Sequence, residues 1–301
     1  MNTFLSRRHM LTSTLCAATV WALSNQQPET KAGDVGANEA PNSFRQIKPW
    51  QIYVFEDGLE GPDVPTIAAK VALLKSLGYA GMACQSGPAH LPAILDELDK
   101  QGLEFASYYC TPVVENDLDP QLKNVIALLK GRRAPIEIAF TSMKYKPSDP
   151  AADAKALDIL KRLADLAADT GPVISIYPHR GLWTEQISDG IRLAKQAGMK
   201  SVGTNLNLVH YEWVPHPQPF KDTLAEAMPY LKLVSINGMS KNNIVSLADG
   251  DYDIAAFLGT VKNAGYAGPI GLQCWGIKGP SETHLRRSME KWLELRKTLE
   301  L

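Results

Sequence analysis

The chain has 301 residues, 45% of them apolar and 21% charged. That is ordinary for a soluble globular protein, with enough length for one large α/β barrel or two smaller domains. Its 31 basic and 32 acidic residues give a formal net charge of -1. This argues against a general nucleic-acid binder, whose affinity rests on a basic excess that neutralises phosphates.

The N-terminus reads as a targeting segment. Ser6-Arg7-Arg8-His9-Met10-Leu11 sets twin arginines before the apolar stretch Met10–Leu23, which is too short to span a bilayer. The pattern resembles a twin-arginine export signal, with Met10 where Phe is usual and a weak small-x-small cleavage site at Ala22-Leu23-Ser24. Cys16 after Leu15 fits a lipoprotein box poorly. The expectation is a signal over residues 1–24 and a periplasmic or otherwise exported protein, with no stable membrane insertion once the signal is cut. Residues 25–46 are polar and rich in Gly, Pro, Asn and Glu; they read as a flexible linker. The folded domain then covers residues 47–301.

From residue 50 onward short apolar runs alternate with amphipathic segments. The first run, Gln51–Phe55, precedes a helical pattern over Val64–Leu77. Next come Gly81–Cys84 and the helix His90–Gln101, then Leu103–Cys110 and Leu118–Lys130. Pro135–Thr141 is followed by Ala151–Ala168, Pro172–His179 by Thr184–Ala197, and Ser201–His210 by Lys221–Leu231. Leu231–Gly238 leads to Ile254–Ala264, and Pro269–Gly276 to Ser281–Leu299. Near-continuous apolar runs suit parallel strands covered on both faces, and the segments between them have helical period. Glycines at 78, 102, 171, 198 and 265 end helices just before the next strand. Asp63 reads as an N-cap with Pro65 behind it, and Ser281-Glu282 opens the last helix. Eight strands and eight helices in strict alternation predict a single closed (β/α)8 barrel. A doubly wound sheet would carry a Gly-rich turn after its first strand, where this chain has Glu56-Asp57-Gly58-Leu59-Glu60. Cys84, Cys110 and Cys274 are an odd set at wide spacing, each in a predicted strand; they read as small core residues rather than a disulfide framework or zinc motif.

Chemistry in such a barrel sits where strands end and βα loops begin. In strand order those ends carry Glu56, Tyr109, Lys144, Tyr177 and His179, Asn207 and His210, Asn237, and Gln273 with Trp275. Amides and imidazoles among the aromatics Tyr109, Tyr177, Trp183, Trp213 and Trp275 suit a sugar, whose C–H faces stack on rings while its hydroxyls take hydrogen bonds. Each residue also has a plain structural reading: a solvated lysine for Lys144, a surface acid for Glu56, a loop cap for Asn237, a backbone partner for Gln273, a core ring for Trp275. The other four histidines fall in the signal, helices or loops.

The chain resembles the sugar phosphate isomerase/epimerase family, the xylose isomerase-like barrels of the AP endonuclease 2-like superfamily, from about residue 49 to 298. Three stretches carry the likeness: Ala69–Met82 with Leu77-Gly78-Tyr79-Ala80-Gly81; Ile176-Tyr177-Pro178-His179 with Gly181 and Trp183; and Asp249–Phe257 followed by Ala264–Leu272. The resemblance implies a divalent metal held by Glu, Asp, His and Glu on the fifth to eighth strands. Here those positions fall on Tyr177, Asn207, Asn237 and Gln273, and of the sixth-strand Asp-x-x-His only His210 remains. Hard cations need anionic oxygens or imidazole, so the expectation is no metal and no other cofactor. A relocated site on His179, His210 and Glu212 is the alternative.

Three functions compete. An exported enzyme on a sugar or keto-sugar would use His179 or His210 as base, with Lys144 or Asn237 steadying the oxyanion, for isomerisation, epimerisation or elimination of a 3-keto-glycoside. A degenerate barrel would bind sugar without turnover. A phosphodiesterase of the AP endonuclease type would need several metals and a basic groove, which the sequence lacks. The first is favoured.

Overall fold

The computed structural model describes residues 45–301; the signal and most of the linker lie outside the described residues. The elements in chain order are β1 (Ile52–Val54), α1 (Ile67–Leu77), β2 (Gly81–Cys84), α2 (Leu91–Gln101), β3 (Glu104–Cys110), α3 (Pro120–Leu128), β4 (Ile136–Ile138), α4 (Asp153–Ala167), β5 (Ile174–Ile176), α5 (Ile187–Ala197) and β6 (Val202–Asn207). They continue as α6 (Leu208–Glu212), α7 (Phe220–Ala227), β7 (Leu231–Ile236), β8 (Gly238–Ser240), β9 (Asn243–Val245), α8 (Ile254–Asn263), β10 (Ile270–Leu272) and α9 (Ser281–Leu299). Eight parallel strands close into a barrel in the order β1-β2-β3-β4-β5-β6-β7-β10, with Ile52 opposite Ile270 where the ends meet. The (β/α)8 expectation is met.

The short strands use period-2 alternation to divide their side chains between two cores. Ile136 and Ile138, Ile174 and Ile176, and Ile270 and Leu272 pack outward in one large cluster with the helices. Tyr53, Phe55, Ala83, Ala139 and Tyr177 form a separate, smaller cluster around the barrel axis. Gly271 makes room for it: a Cβ there would come within 2.7 Å of the Phe55 ring and 2.8 Å of the Tyr53 hydroxyl. The strand bodies are therefore not apolar on both faces, as their composition suggested. Glu137, Ser175, Asn205 and Ser235 are buried on the axial side. The Asn205 amide donates to Glu137 Oε2 at 2.6 Å, from β6 to β4 across the interior, and Ser175 donates to Asn205.

Three local expectations change. Asp63 does not cap α1, whose cap is Thr66, accepting from the Ala69 N–H at 3.1 Å. Asp63 instead accepts from Ser281 and Glu282 N–H groups at 2.7 and 2.8 Å, capping α9 and tying the last helix to the first loop. The sixth strand stops at Asn207 rather than at His210. Asn207 Oδ1 accepts from the His210 N–H at 3.1 Å and so caps α6, turning the chain inward over the barrel mouth. Gly238–Val245 folds into an antiparallel hairpin at the same end. Arg45, placed by composition in the linker, donates its N–H to Gly131 and pairs with Asp99 at 2.6 Å. Cys84 and Cys274 are buried and Cys110 half-buried, all as free thiols. No helix among the described residues is long and apolar enough to cross a membrane.

Candidate functional site

A cavity of about 300 Å³ opens at the C-terminal ends of the strands, lined by Asp57, Gln85, Tyr109, Tyr177, His179, His210, Trp213, Ile244, Gln273 and Trp275. A hollow of about 390 Å³ at the opposite end is lined by strand starts such as Phe105, Pro135, Val173 and Leu231, with Arg133 and Lys232, and contains no acid or histidine. The mouth brings two imidazoles and a carboxyl to one ligand-sized space at the end of the barrel where chemistry sits in this fold.

Two imidazoles dominate it. The rings of His179 and His210 lie 3.9 Å apart between centroids. His179 Nδ1 sits 2.9 Å from the Arg180 carbonyl oxygen. A carbonyl only accepts, so Nδ1 carries the proton and Nε2 keeps its lone pair. Burial holds the His179 pKa below its usual value, against the pull of that carbonyl. His210, on α6, is buried and neither ring nitrogen has a protein partner. Burial, helped by His179 and Arg180, pushes it down to about 3, so it is neutral at physiological pH. Trp213 also lines the cavity, and its indole N–H is likewise buried and unpartnered. Two cavity-lining residues thus carry three buried polar atoms without a protein partner, each of which costs free energy while unsatisfied.

Asp57 supplies the carboxyl. Residues Glu56–Leu59 form a 3-10 turn after β1, which sends the two neighbouring acids in different directions. Asp57 lines the cavity, with Oδ1 accepting from the Cys274 N–H at 3.2 Å. Burial raises it to about 7, the Cys274 N–H opposing and Glu60 and Glu56 adding to the shift. Glu56 instead accepts from the Gln85 and Ser86 N–H groups at 2.8 and 2.9 Å and lies 3.6 Å from Lys70; it braces the loop after β2 and does not line the cavity.

The floor is an amide clasp. Asn207 Nδ2 lies 2.7 Å from the Tyr177 hydroxyl, 2.8 Å from Ser235 Oγ and 2.7 Å from Gln273 Oε1. One amino group with two hydrogens thus stands between oxygens of side chains on β7 and just past the ends of β5 and β10. Burial holds the Tyr177 phenol well above its ordinary range, so these oxygens are neutral. A divalent cation does not fit: the centre where strand-borne ligands converge is filled by an N–H donor, and no carboxylate faces it. Among the described residues no three His, Cys, Asp or Glu side chains are grouped to hold a metal. Glu212, the acid of the relocated alternative, accepts from Tyr252 at 2.8 Å and does not line the cavity.

Of the residues chosen from sequence, His179, His210, Tyr109, Tyr177, Gln273 and Trp275 line the cavity, and Asn207 lies directly beneath it. Asn237 does not join the clasp. It is wholly buried, with Nδ2 donating to its neighbour Gly238 at 3.0 Å and Oδ1 unpartnered; Ser235, one pleat earlier on β7, takes the place expected of it. Trp183 is core: its ring packs edge-on against Phe140 and its N–H donates to Asp149 at 3.0 Å. Lys144 is exposed, its ammonium 5.2 Å from the Tyr145 ring centroid. Neither lines the cavity. Sequence reasoning passed over Asp57, Gln85, Ile244 and Ser235. Only Asp57 left a signal, as one of two acids at the end of the first strand.

A family model described as xylose isomerase-like TIM barrel matches residues 121–296. No curated protein matches the sequence. Among solved structures, a D-allulose 3-epimerase from Methylomonas sp. superposes with a TM-score of 0.66 at 16% identity, covering 84% of this chain and 100% of that one. A 3-keto-D-glucoside 4-epimerase from E. coli gives 0.64 at 16% identity, over 82% and 99%. A xylose isomerase-like TIM barrel/4-hydroxyphenylpyruvate dioxygenase fusion protein gives 0.64 at 15%, over 84% of this chain but only 43% of the fusion. At such identities the likeness is one of fold.

Proposed function

This chain belongs to the xylose isomerase-like TIM barrel family, and we propose that it acts on the carbonyl form of a sugar by acid–base proton transfer, as a sugar isomerase or epimerase. The observation that carries this reading is the meeting of a neutral, oriented His179, an unpartnered His210 and a carboxyl titrating near 7 in one cavity walled by aromatic rings. Several structural relatives are named as sugar epimerases.

His179 Nε2 takes the proton from the carbon next to the carbonyl. The C–H electron pair becomes the new C=C bond, and the carbonyl pair moves onto oxygen, which receives the Asp57 proton. For an isomer His179 then gives its proton to the neighbouring carbon while the enediol hydroxyl on the first carbon returns a proton to the Asp57 carboxylate. For an epimer water supplies the proton to the first carbon from the other face, His179 gives its own to solvent, and Asp57 recovers its proton from the oxygen it had protonated, so the product carries the same atoms as the substrate. His210 and the Trp213 N–H hold hydroxyl groups, while Tyr109 and Tyr177 pack the ring. Lys144, which does not line the cavity, has no part in this scheme.

Proton NMR in D2O tests it. D-allulose, D-fructose, D-glucose and D-galactose are incubated with the protein, and deuterium is sought at the carbon beside the carbonyl. Incorporation abolished by His179→Ala supports the reading; binding without any exchange overturns it. That second outcome would favour a sugar-binding barrel without turnover, for which the all-neutral clasp under the cavity is the supporting observation.

The twin arginines Arg7-Arg8 support export. Cell fractionation of the wild type against a double Arg→Lys variant checks it, an unchanged cytoplasmic location for both defeating the proposal.

A further inference from the structure

We propose that Trp275 forms a second sugar subsite, so that the ligand is a glycoside with one ring in the cavity and the next ring stacked on this indole. The inference rests on the sugar reading of the site and extends it to a substrate class.

Trp275 is the one cavity-lining residue that is exposed, at 63%, and the one aromatic among the large exposed hydrophobic side chains of the described residues. A lone exposed apolar side chain carries no message by itself. This one is mounted. The preceding residue, Cys274, is buried, its N–H bound by Asp57 and its carbonyl accepting from the Ile277 N–H at 3.1 Å. Gly276 at φ +80° closes that turn. The backbone under the ring is thus fixed by the same carboxyl that faces the cavity, while the ring itself stays open to solvent.

Size sets the boundary between the two positions. A cavity of about 300 Å³ is at the lower limit for small-molecule sites and takes a single pyranose with its hydroxyls. His210 and Trp213, which line that inner space, carry buried hydrogen-bonding atoms without partners. A second ring linked to the first must emerge at the rim, where Trp275 offers a flat apolar face suited to the C–H face of a sugar.

Calorimetry decides. D-glucose, D-galactose, D-allulose, cellobiose, maltose and lactose are titrated into the full chain and into Trp275→Ala and Trp275→Phe variants. The expected result is that at least one disaccharide binds the wild type more tightly than any monosaccharide. Trp275→Ala should shrink that advantage roughly three- to tenfold, the range of one ring-stacking contact, and Trp275→Phe should restore most of it. Monosaccharide binding with no disaccharide advantage, or an advantage untouched by Trp275→Ala, overturns the second subsite while leaving the sugar reading intact. No binding by any of the six overturns both.

Discussion

The His179 and His210 rings lie 3.9 Å apart, tilted by 39°, and only His179 has a hydrogen-bond partner. Two imidazoles so close, with His210 buried, cannot both readily hold a proton. The two rings are unequal: His179 is oriented by the Arg180 carbonyl and keeps one lone pair free of it, whereas neither His210 ring nitrogen has a protein partner, and the proposed scheme divides base and binding roles accordingly. His179→Ala should lower the rate of proton exchange about 10²-fold or more while sugar binding persists. His210→Ala should chiefly weaken binding. Exchange by NMR and affinity by calorimetry separate the two; equal losses in both variants for both quantities would contradict the assignment.

The pH profile follows from opposite shifts. In the proposed scheme His179 serves as base only when neutral, and its pKa is held below 6.5 by burial, so activity should rise with pH through that lowered value. Asp57, the acid of that scheme, serves only when protonated, and its pKa is raised to about 7, so activity should fall as pH climbs through 7. The optimum should lie on the acid side of neutrality. Asp57→Asn should lower the maximum and remove the alkaline limb. A profile that instead keeps rising to pH 9 would exclude Asp57 as the acid.

Glu137 predicts a stability change away from the cavity. Burial raises its carboxyl from 4.5 to about 7. Below 4.5 both folded and unfolded states are protonated and the shift contributes nothing. As pH rises from 4.5 to 7 the unfolded state loses its proton first, so stability falls, by on the order of 3 kcal/mol for this group. Asp57 adds a loss of the same sign. Glu137→Gln keeps an acceptor for Asn205 and should flatten the decline in Tm between pH 5 and 8, leaving the Asp57 part. An identical slope in the variant would show that Glu137 does not titrate in this range.

The clasp makes two further tests. Asn207→Ala strips Tyr177, Ser235 and Gln273 of their shared donor and α6 of its cap. Urea denaturation should show a loss of about 1–3 kcal/mol, and His210, at the first turn of α6, should bind ligand less well.

Because the clasp centre holds an amino group, the wild-type protein should show no Tm change with EDTA or Mn²⁺, and elemental analysis should find metal well below one per chain. Stoichiometric, tightly held metal would mean that Asn207 turns aside to admit it.

The barrel was legible in the linear chain. Helix and strand periodicities, with Gly78, Gly102 and Gly198 at left-handed helix ends, are local signals, and eight repeats of one pattern leave few ways to bury the apolar faces. The rule that strand ends carry the site then brought His179, His210, Tyr177, Asn207 and Gln273 to notice. Folding decided what local pattern does not encode. A 3-10 turn turned Asp57 rather than Glu56 to the cavity, a pleat favoured Ser235 over Asn237, and a helix cap moved His210 off its strand. Trp183 went to core and Lys144 to solvent. The reason is that periodicity reports which side of an element is buried, whereas a side chain at a strand end is aimed by the turn that follows it and by partners from remote strands, as Asn207 is by Gln273.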